Sequence, residues 1–357
     1  MQTDMHFYGT HALALAAGLK SDVARQIAIA AQYVDDSDTV DIAFTDGSFF
    51  HGDATGHHPI NADNFHKYDQ RKVWIPFHFL PGNQGKTLHE RLLCQPDSLI
   101  AQQMVDWALV EAAGSYGPMM LGIAAHVYAD TFAHYGFSGI AASINRVNFA
   151  TIKHETADVE MRNYITGKAQ RFFEKLILKT QSSAEAAAAN LLGLGHGGVS
   201  TYPDRPYLTW SFQYEDGRES GQRNNTETFL LASEKLHSIF VRFGEKQPEF
   251  RDQLVTPFNK IEKKVREILS LEADQDGRSS AWLDSLADGT LIGRKFILTP
   301  YDCSTFDLER AELVGKEITQ KRANETSVFQ FLRAANHYRR FVLKKLLPKH
   351  NIPVFFD

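Results

Sequence analysis

Cysteine is nearly absent from this chain: Cys94 and Cys303 are the only two in 357 residues. They lie far apart and form no spaced pattern, which excludes a disulfide framework and a cysteine-based zinc site. An excess of positive charge is missing as well. Lys and Arg number 38 against 43 Asp and Glu, a net charge of −5, so duplex nucleic acid is not an expected partner. No apolar run approaches the roughly 20 residues that span a bilayer. The most apolar helical stretch, Met119 to Ala129, has 11 residues, and no transmembrane segment is expected. The opening MQTDMHFYGTHALALAAGLK holds a short apolar run, Ala12 to Leu19, preceded by Asp4 and two His rather than by a cation. A secretory leader needs that cation, so the segment reads as a first helix. The expected location is the cytoplasm, or outside it by a route without a cleaved leader. Also missing are GxxxxGK[ST], HExxH, GxSxG and a contiguous His-Asp dipeptide. Nucleotide-triphosphate hydrolysis, zincin proteolysis and serine hydrolysis therefore have no foothold.

What is present is enough apolar material for a large core, 43% of residues, with only 23% charged. Most of it reads as helix. Apolar residues recur at helical spacing over Thr10 to Tyr33, and the run ends in the acidic cluster Asp35, Asp36, Asp38. Further helices are expected from Asp97 or Ser98 through Ala113, and over Pro118–Tyr135, Thr156–Leu178 and Ser183–Leu192. Others follow over Glu227–Phe243, Asn259–Leu271, Ala281–Leu286, Phe306–Thr319 and Val328–Leu346. Thr39–Gly85 and His196–Asn224 lack a sustained period, and irregular stretches of that length usually serve a site. The expectation is one all-α domain. Residues 1–195 would form a metal-binding core, 196–224 a loop over its cleft, and 225–357 a helical extension packed on the core.

Histidine carries the chemistry. Of fifteen, eleven fall in the first 154 residues. The helix GPMMLGIAAHVYADTFAHYGFSG is apolar nearly all round and should be buried. His126, Asp130 and His134 are set into it four residues apart, within an arc of roughly 80°. His126 and His134 would lie about 12 Å apart along the axis, too far to share one ion. A carboxylate midway between them suits a bridge between two ions roughly 3.5–4 Å apart. His154 and Asp158, again four apart, would present an imidazole and a carboxylate on one helical face, as zinc and similar metals favour. Other candidates are Asp4, His6 and His11 at the start, Asp35 and Asp36 in AQYVDDSD, and His57, His58 and His78 in the irregular stretch. His51, His66 and His89 have polar neighbours and read as loop residues. This set of imidazoles and carboxylates without cysteine suits two or three zinc ions in hydrolysis better than a structural zinc.

In that order, Asp, His, HxxxD, His and HxxxD, the residues resemble the zinc-dependent phospholipase C superfamily, which includes the fungal single-strand-specific nucleases. The resemblance covers about residues 1–160. It implies an all-α fold, three zinc ions in a cleft, and hydrolysis of phosphoester bonds. The first HxxxD corresponds to His126 and Asp130, with Asp130 the bridging carboxylate. The closing HxxxD corresponds to His154 and Asp158, which His134 would join on the second ion. Asp35 takes the place of the isolated Asp at a helix end, and His57, His58 or His78 that of the lone His. The superfamily's amino-terminal Trp, whose amine binds the third zinc, is absent. Asp4 and His6, or His11, would have to replace it. TDMHFYGTH, AQYVDDS, VWIPFHFLPG and LGHGGVSTYPDRPYLTW also resemble a family of uncharacterised bacterial proteins over nearly the whole chain, a likeness that carries no activity.

His196 opens GHGGVSTYPDRPYLTWSFQYEDG. There Tyr202, Asp204, Arg205, Tyr207 and Trp210 could wall the cleft, with Arg205 gripping a phosphate in bidentate fashion. The expected function is a metal-dependent hydrolase of a phosphodiester or phospholipid, with Asp35 or a neighbouring carboxylate orienting or deprotonating the water. The rivals are a metal-holding interaction protein without turnover, and a metal hydrolase of a non-phosphate substrate.

Overall fold

The computed structural model describes residues 1–56, 67–114, 116–178 and 193–354. His57, His58 and the helix expected over Ser183–Leu192 lie outside these residues. The chain opens with a π-helical segment, Asp4–Gly9, that runs into α1 (Thr10–Ala16). A single helix through Tyr33 is not formed. Gly18 turns the chain with a φ of +83°, and a Cβ there would lie 2.6 Å from the Gln253 carbonyl oxygen. Helix α2 then runs over Ser21–Asp36. Strands β1 (Val40–Ala43) and β2 (Phe49–Gly52) form an antiparallel hairpin, and a second π-helical segment spans Gln70–His78.

Helices α3 (Leu99–Glu111) and α4 (Gly117–Ala133) follow. Every residue of α4 is buried, as its all-round apolar composition requires. Gly122 lets α4 approach α2 closely, since a Cβ there would meet the Ile27 carbonyl oxygen at 2.4 Å and the Ala30 Cβ at 2.6 Å. That approach brings the end of α2, and Asp35 with it, over the middle of α4.

The all-α expectation is incorrect. Helices make up 57% of the structure and strands 10%, in two small antiparallel sheets. The second sheet joins β3 (Val147–Glu155), β4 (Thr209–Tyr214) and β5 (Arg223–Asn224), with α5 (Val159–Leu178) between the first two. In β4, Trp210, Phe212 and Tyr214 are buried while Thr209, Ser211 and Gln213 are half-exposed. This is the period of two that a half-buried strand requires. The inward residues form a small second core with Phe137 and Val199.

The last third builds α6 (Asn225–Lys246), α7 (Phe258–Leu269), α8 (Gln275–Ala287), α9 (Ser304–Gly315) and α10 (Ser327–Phe341). Helices α6 and α10 both pack on α4, and one hydrophobic core runs from Met1 to Val354. Among the described residues no helix is long and apolar enough to cross a membrane.

Candidate metal centre

Six carboxylates and imidazoles converge where α2, α4 and the two π-helical segments meet. His126 and Asp130 stand on α4, with His134 just past its end; Asp35 lies in the last turn of α2, His78 ends the second π-helical segment, and His6 lies in the first. π-Helical turns are rare and often mark functional sites, because the extra residue re-aims a side chain. Here two of them deliver an imidazole each. The loop before β4 adds His196 and Asp204.

The hydrogen bonds fix how these rings face. His126 Nδ1 lies 2.7 Å from the Ala31 carbonyl oxygen, and His78 Nε2 lies 2.8 Å from that of Thr55. His134 Nδ1 donates to the His78 carbonyl at 2.9 Å, and His196 Nδ1 to that of Ser200 at 2.8 Å. A carbonyl oxygen only accepts, so each of these nitrogens carries the hydrogen. In a neutral ring the other nitrogen is then a lone pair. These second nitrogens face carboxylate oxygens or one another, so each needs a proton or a metal cation between it and its neighbour; His134 Nε2 also has the Met1 ammonium at 3.4 Å. His126 Nε2 lies 3.3 Å from Asp130 Oδ2 and 3.3 Å from His78 Nδ1. His78 Nδ1 lies 3.5 Å from Asp130 Oδ2 and 3.8 Å from Asp35 Oδ1. His134 Nε2 is 3.2 Å from Asp204 Oδ1, and His196 Nε2 is 3.9 Å from Asp204 Oδ2. Asp130 Oδ2 and both ring nitrogens of His6 are buried without a hydrogen-bond partner, although His6 Nε2 comes within 3.2 Å of Asp130 Oδ1. Backbone carbonyls that hold one ring nitrogen while the other faces carboxylates are the outer support metal-binding imidazoles ordinarily have.

Three groups have ligand atoms within 4.8 Å of one another: His6, His126 and Asp130; Asp35, His78 and His126; and His134, His196 and Asp204. These buried His/Asp clusters could hold a metal ion. His126 occurs in two groups but has one free lone pair, so it can serve only one ion. Asp130 has two oxygens and touches both neighbourhoods.

The electrostatics fit the same use. Burial pushes His6 down to about 3 and His196 to about 4, and it lowers His78, so these rings are neutral donors at neutral pH. Burial works against the charged form of Asp130, but His134, the Met1 ammonium and His126 hold its carboxyl well below the usual range. Asp35 and Asp204 are likewise lowered despite burial, Asp35 chiefly by His126 and Asp204 chiefly by the Met1 ammonium. His126 is raised against its burial by Asp130 and Asp35, so the same carboxylates that draw a proton there would draw a cation. The Met1 ammonium donates to Asp130 Oδ1 at 2.6 Å and lies 3.3 Å from Asp204 Oδ1. Burial opposes its charge, but Asp130, Asp204 and Asp35 push it up to about 11.

Above the centre opens a cleft of about 610 Å³. Asp35, His78, Asp130, His134, His196 and Asp204 line its floor, with Gln2, Gln32, Trp74, Phe79 and Gln275 among its walls. Among the described residues no Lys or Arg lines it.

A family model described as "Family of unknown function (DUF6765)" matches residues 1–346. The chain belongs to this family. No curated protein and no solved structure matches it.

Several expected residues stand elsewhere. His154 is on strand β3, opposite Trp210, and its Nδ1 lies 2.9 Å from Thr156 Oγ1. Asp158 is exposed, and its carboxylate accepts the Met161 N–H at the start of α5. A spacing of four puts two residues on one face only within a helix, and here a strand end and a turn separate them. Asp4 is buried against Arg278, whose Nε donates to Asp4 Oδ2 at 2.6 Å. Asp36 accepts the Tyr301 hydroxyl at 2.6 Å on the cleft's rim. Arg205 does not line the cleft; it donates to Thr201 Oγ1 and the Tyr207 hydroxyl and lies over the Tyr164 ring. Tyr202 and Trp210 pack together in the second core. From that loop Ser200, Thr201 and Asp204 reach the cleft instead.

His11 lies between Phe7 and Phe296, buried, with both ring nitrogens lacking partners. Burial, helped by Arg25, pushes it down to about 3. The unfolded chain takes up this proton below about 6.5 and the folded protein does not, so stability falls as pH drops from there toward 3. His11→Leu is therefore expected to raise Tm, more at pH 5 than at pH 7.5, with metal content unchanged. Loss of metal in that variant would place His11 among the ligands.

Proposed function

We propose that this protein is a metal-dependent hydrolase of phosphoester bonds that works with two or three zinc ions. One observation carries the reading: imidazole lone pairs, fixed by backbone carbonyls, face carboxylate oxygens on the floor of an open cleft. Without a proton or a metal cation between them such pairs repel, and burial removes the water that would screen them. Imidazole and carboxylate without thiolate is the donor set of hydrolytic zinc. Since His126 can serve one ion only, complete three-residue sets exist for two ions at once, one around Asp130 or Asp35 and one around Asp204. A third depends on Asp130 bridging.

When bound, zinc would supply a water acidic enough to attack near neutral pH and positive charge for the phosphoryl oxygens. The chain's own residues do the rest. Asp35 has 20% of its side chain exposed to the cleft and is held ionised, so it is the carboxylate placed to orient that water and accept its proton. Asp130 is enclosed by the amine and the imidazoles and acts by holding charge in place. No cationic side chain in the described cleft wall pairs with phosphate, so recognition of the anion falls to the bound ions. The neutral amides of Gln2, Gln32 and Gln275 remain for the rest of the substrate.

Purified protein is expected to carry at least two equivalents of zinc or a similar ion. Chelation should abolish hydrolysis of bis-nitrophenyl phosphate, and zinc should restore it. Metal-loaded protein that is inert on simple diesters, phospholipid vesicles and single-stranded nucleic acid would overturn the hydrolase reading in favour of a metal-holding interaction protein.

A further inference from the structure

The outer face formed by α3 and α10 is unlike the rest of this acidic chain. From Ser327 to Lys349 there are six cations, Arg333, Arg339, Arg340, Lys344, Lys345 and Lys349, and no acidic residue, in a protein of net charge −5. Arg339 is turned inward onto the carbonyls of Lys72, Asp53 and Ala54. The others stay at the surface. Arg333 donates to Asn324 Oδ1 and Lys349 to Gln103 Oε1, both neutral partners. Exposed Arg340 and Lys345 have no acidic partner among the described residues. Two carboxylates of α3 border this face among the described residues, each already paired: Glu111 lies 3.2 Å from His337 Nε2, and Asp106 accepts from Arg242.

The apolar part of the face is equally specific. Leu99, Gln103, Trp107 and Val110 fall within one arc of α3 of roughly 80°. Leu99 is 61% exposed and Val110 62%. Trp107, half-buried, stacks flat on Phe341 at 3.9 Å and 4°, with His337 at 5.3 Å on the same ring. Gln103 accepts from Lys349 and His350 at the other end. The result is a two-helix surface: a Trp–Phe stack in the middle, an exposed aliphatic residue toward each end of α3, and cations alongside.

We propose that this face docks on an anionic phospholipid bilayer. Aromatic rings at headgroup depth, aliphatic side chains beside them and Lys or Arg around both are the composition of a surface that lies on a membrane without crossing it. Charge complementarity selects the anionic lipid, since among the described residues Arg340 and Lys345 have no acidic partner and Arg333 and Lys349 meet neutral ones, while the protein as a whole is acidic. A zwitterionic surface would gain only the few apolar groups. The proposal does not depend on the metal centre, because its readout is binding rather than hydrolysis.

The test is sedimentation of the full chain with vesicles of phosphatidylcholine alone and of a phosphatidylcholine–phosphatidylglycerol mixture. Binding is expected to the mixture only, weakening as salt is raised. Each cation near such a surface strengthens binding roughly fivefold, so the double variant Arg340→Glu, Lys345→Glu should bind at least tenfold more weakly. Trp107 emission should shift to the blue on binding, a change absent in Trp107→Phe. Leu99→Ser should weaken binding with no effect on its salt dependence. Equal binding to both vesicle types, or undiminished binding by the charge-reversed variant, would overturn the proposal. So would protein that ignores the vesicles but binds polyglutamate, which would make the face a site for acidic proteins.

Discussion

Asp130→Asn is expected to lose bound metal, hydrolysis and the metal-dependent part of thermal stability together. The carboxylate lies 2.6 Å from the Met1 amine, 3.2 Å from His6, 3.3 Å from His126 and 3.5 Å from both His78 and His134. Asparagine keeps the size but removes the charge, and its amide nitrogen would point hydrogens at an imidazole lone pair or at the ammonium. A neutral amide is a poor bridge between cations. Hydrolysis should fall at least about a hundredfold, a typical penalty for removing one preorganised electrostatic group. Metal at a thousand times its Kd stabilises the folded protein by about 4 kcal/mol, and the variant should lose most of that gain. The metal-free variant should also melt below the metal-free parent, because the buried Met1 ammonium loses its nearest counter-charge and keeps the weaker influence of Asp204 and Asp35. His154→Ala is the matched control. It removes an imidazole of the same HxxxD spacing that lies on β3 away from the cleft, and metal content should not change. Retention of the full metal complement by Asp130→Asn, or its loss in His154→Ala, would move the centre off α4.

How much of this could be read beforehand depended on whether one element carried the pattern. His126 and Asp130 stand on one helix with His134 at its end, and the apolar surroundings announce burial, so spacing alone puts the three side by side, where the structure brings the other imidazoles and carboxylates to meet them. The structure divides them as the axial distance suggested, His126 with His6 or Asp35 and His134 with His196 and Asp204. The same spacing misled at His154 and Asp158 because a run of four says nothing until the element is known. The signal against a helix was present in the partner strand, where Trp210, Phe212 and Tyr214 alternate with polar residues. The meeting of Asp204 with His134 and His196 had no readable signal. Asp204 sits in a Pro-flanked loop whose path is set by packing on the second core, and it meets His134 from 70 residues away. The Met1 amine was equally hidden, since a backbone terminus has no motif. Its approach to Asp130 follows from the π-helical turn behind it and from what holds that turn in place.

What holds it is Arg278, and the second large effect is expected there. Its guanidinium, 1% exposed, donates to Asp4 Oδ2 and Gln2 Oε1 at 2.6 Å each and to the Ala273 carbonyl at 2.9 Å. It thereby ties α8 to the segment that carries Met1 and His6. Arg278→Met would leave the Asp4 carboxylate, 2% exposed, without its cation. Breaking a buried pair from one side costs about 3–5 kcal/mol, a large share of the roughly 5–15 kcal/mol that holds a folded protein together. Metal occupancy around Asp130 should fall with it, because the freed segment no longer holds His6 against that carboxylate. The double variant Asp4→Asn, Arg278→Met separates the two consequences. With neither charge left to strand, most of the folding stability should return, giving a coupling of about 1–3 kcal/mol in a double-mutant cycle. The tether to Gln2 and α8 is still missing in that variant, so metal bound at His6 and Asp130 should stay weaker than in the parent. Denaturant unfolding and metal titration on the same four proteins check both halves. Additive stabilities would show that the two side chains are not a coupled pair. Parental metal affinity in the double variant would show that the segment needs no anchor to deliver His6.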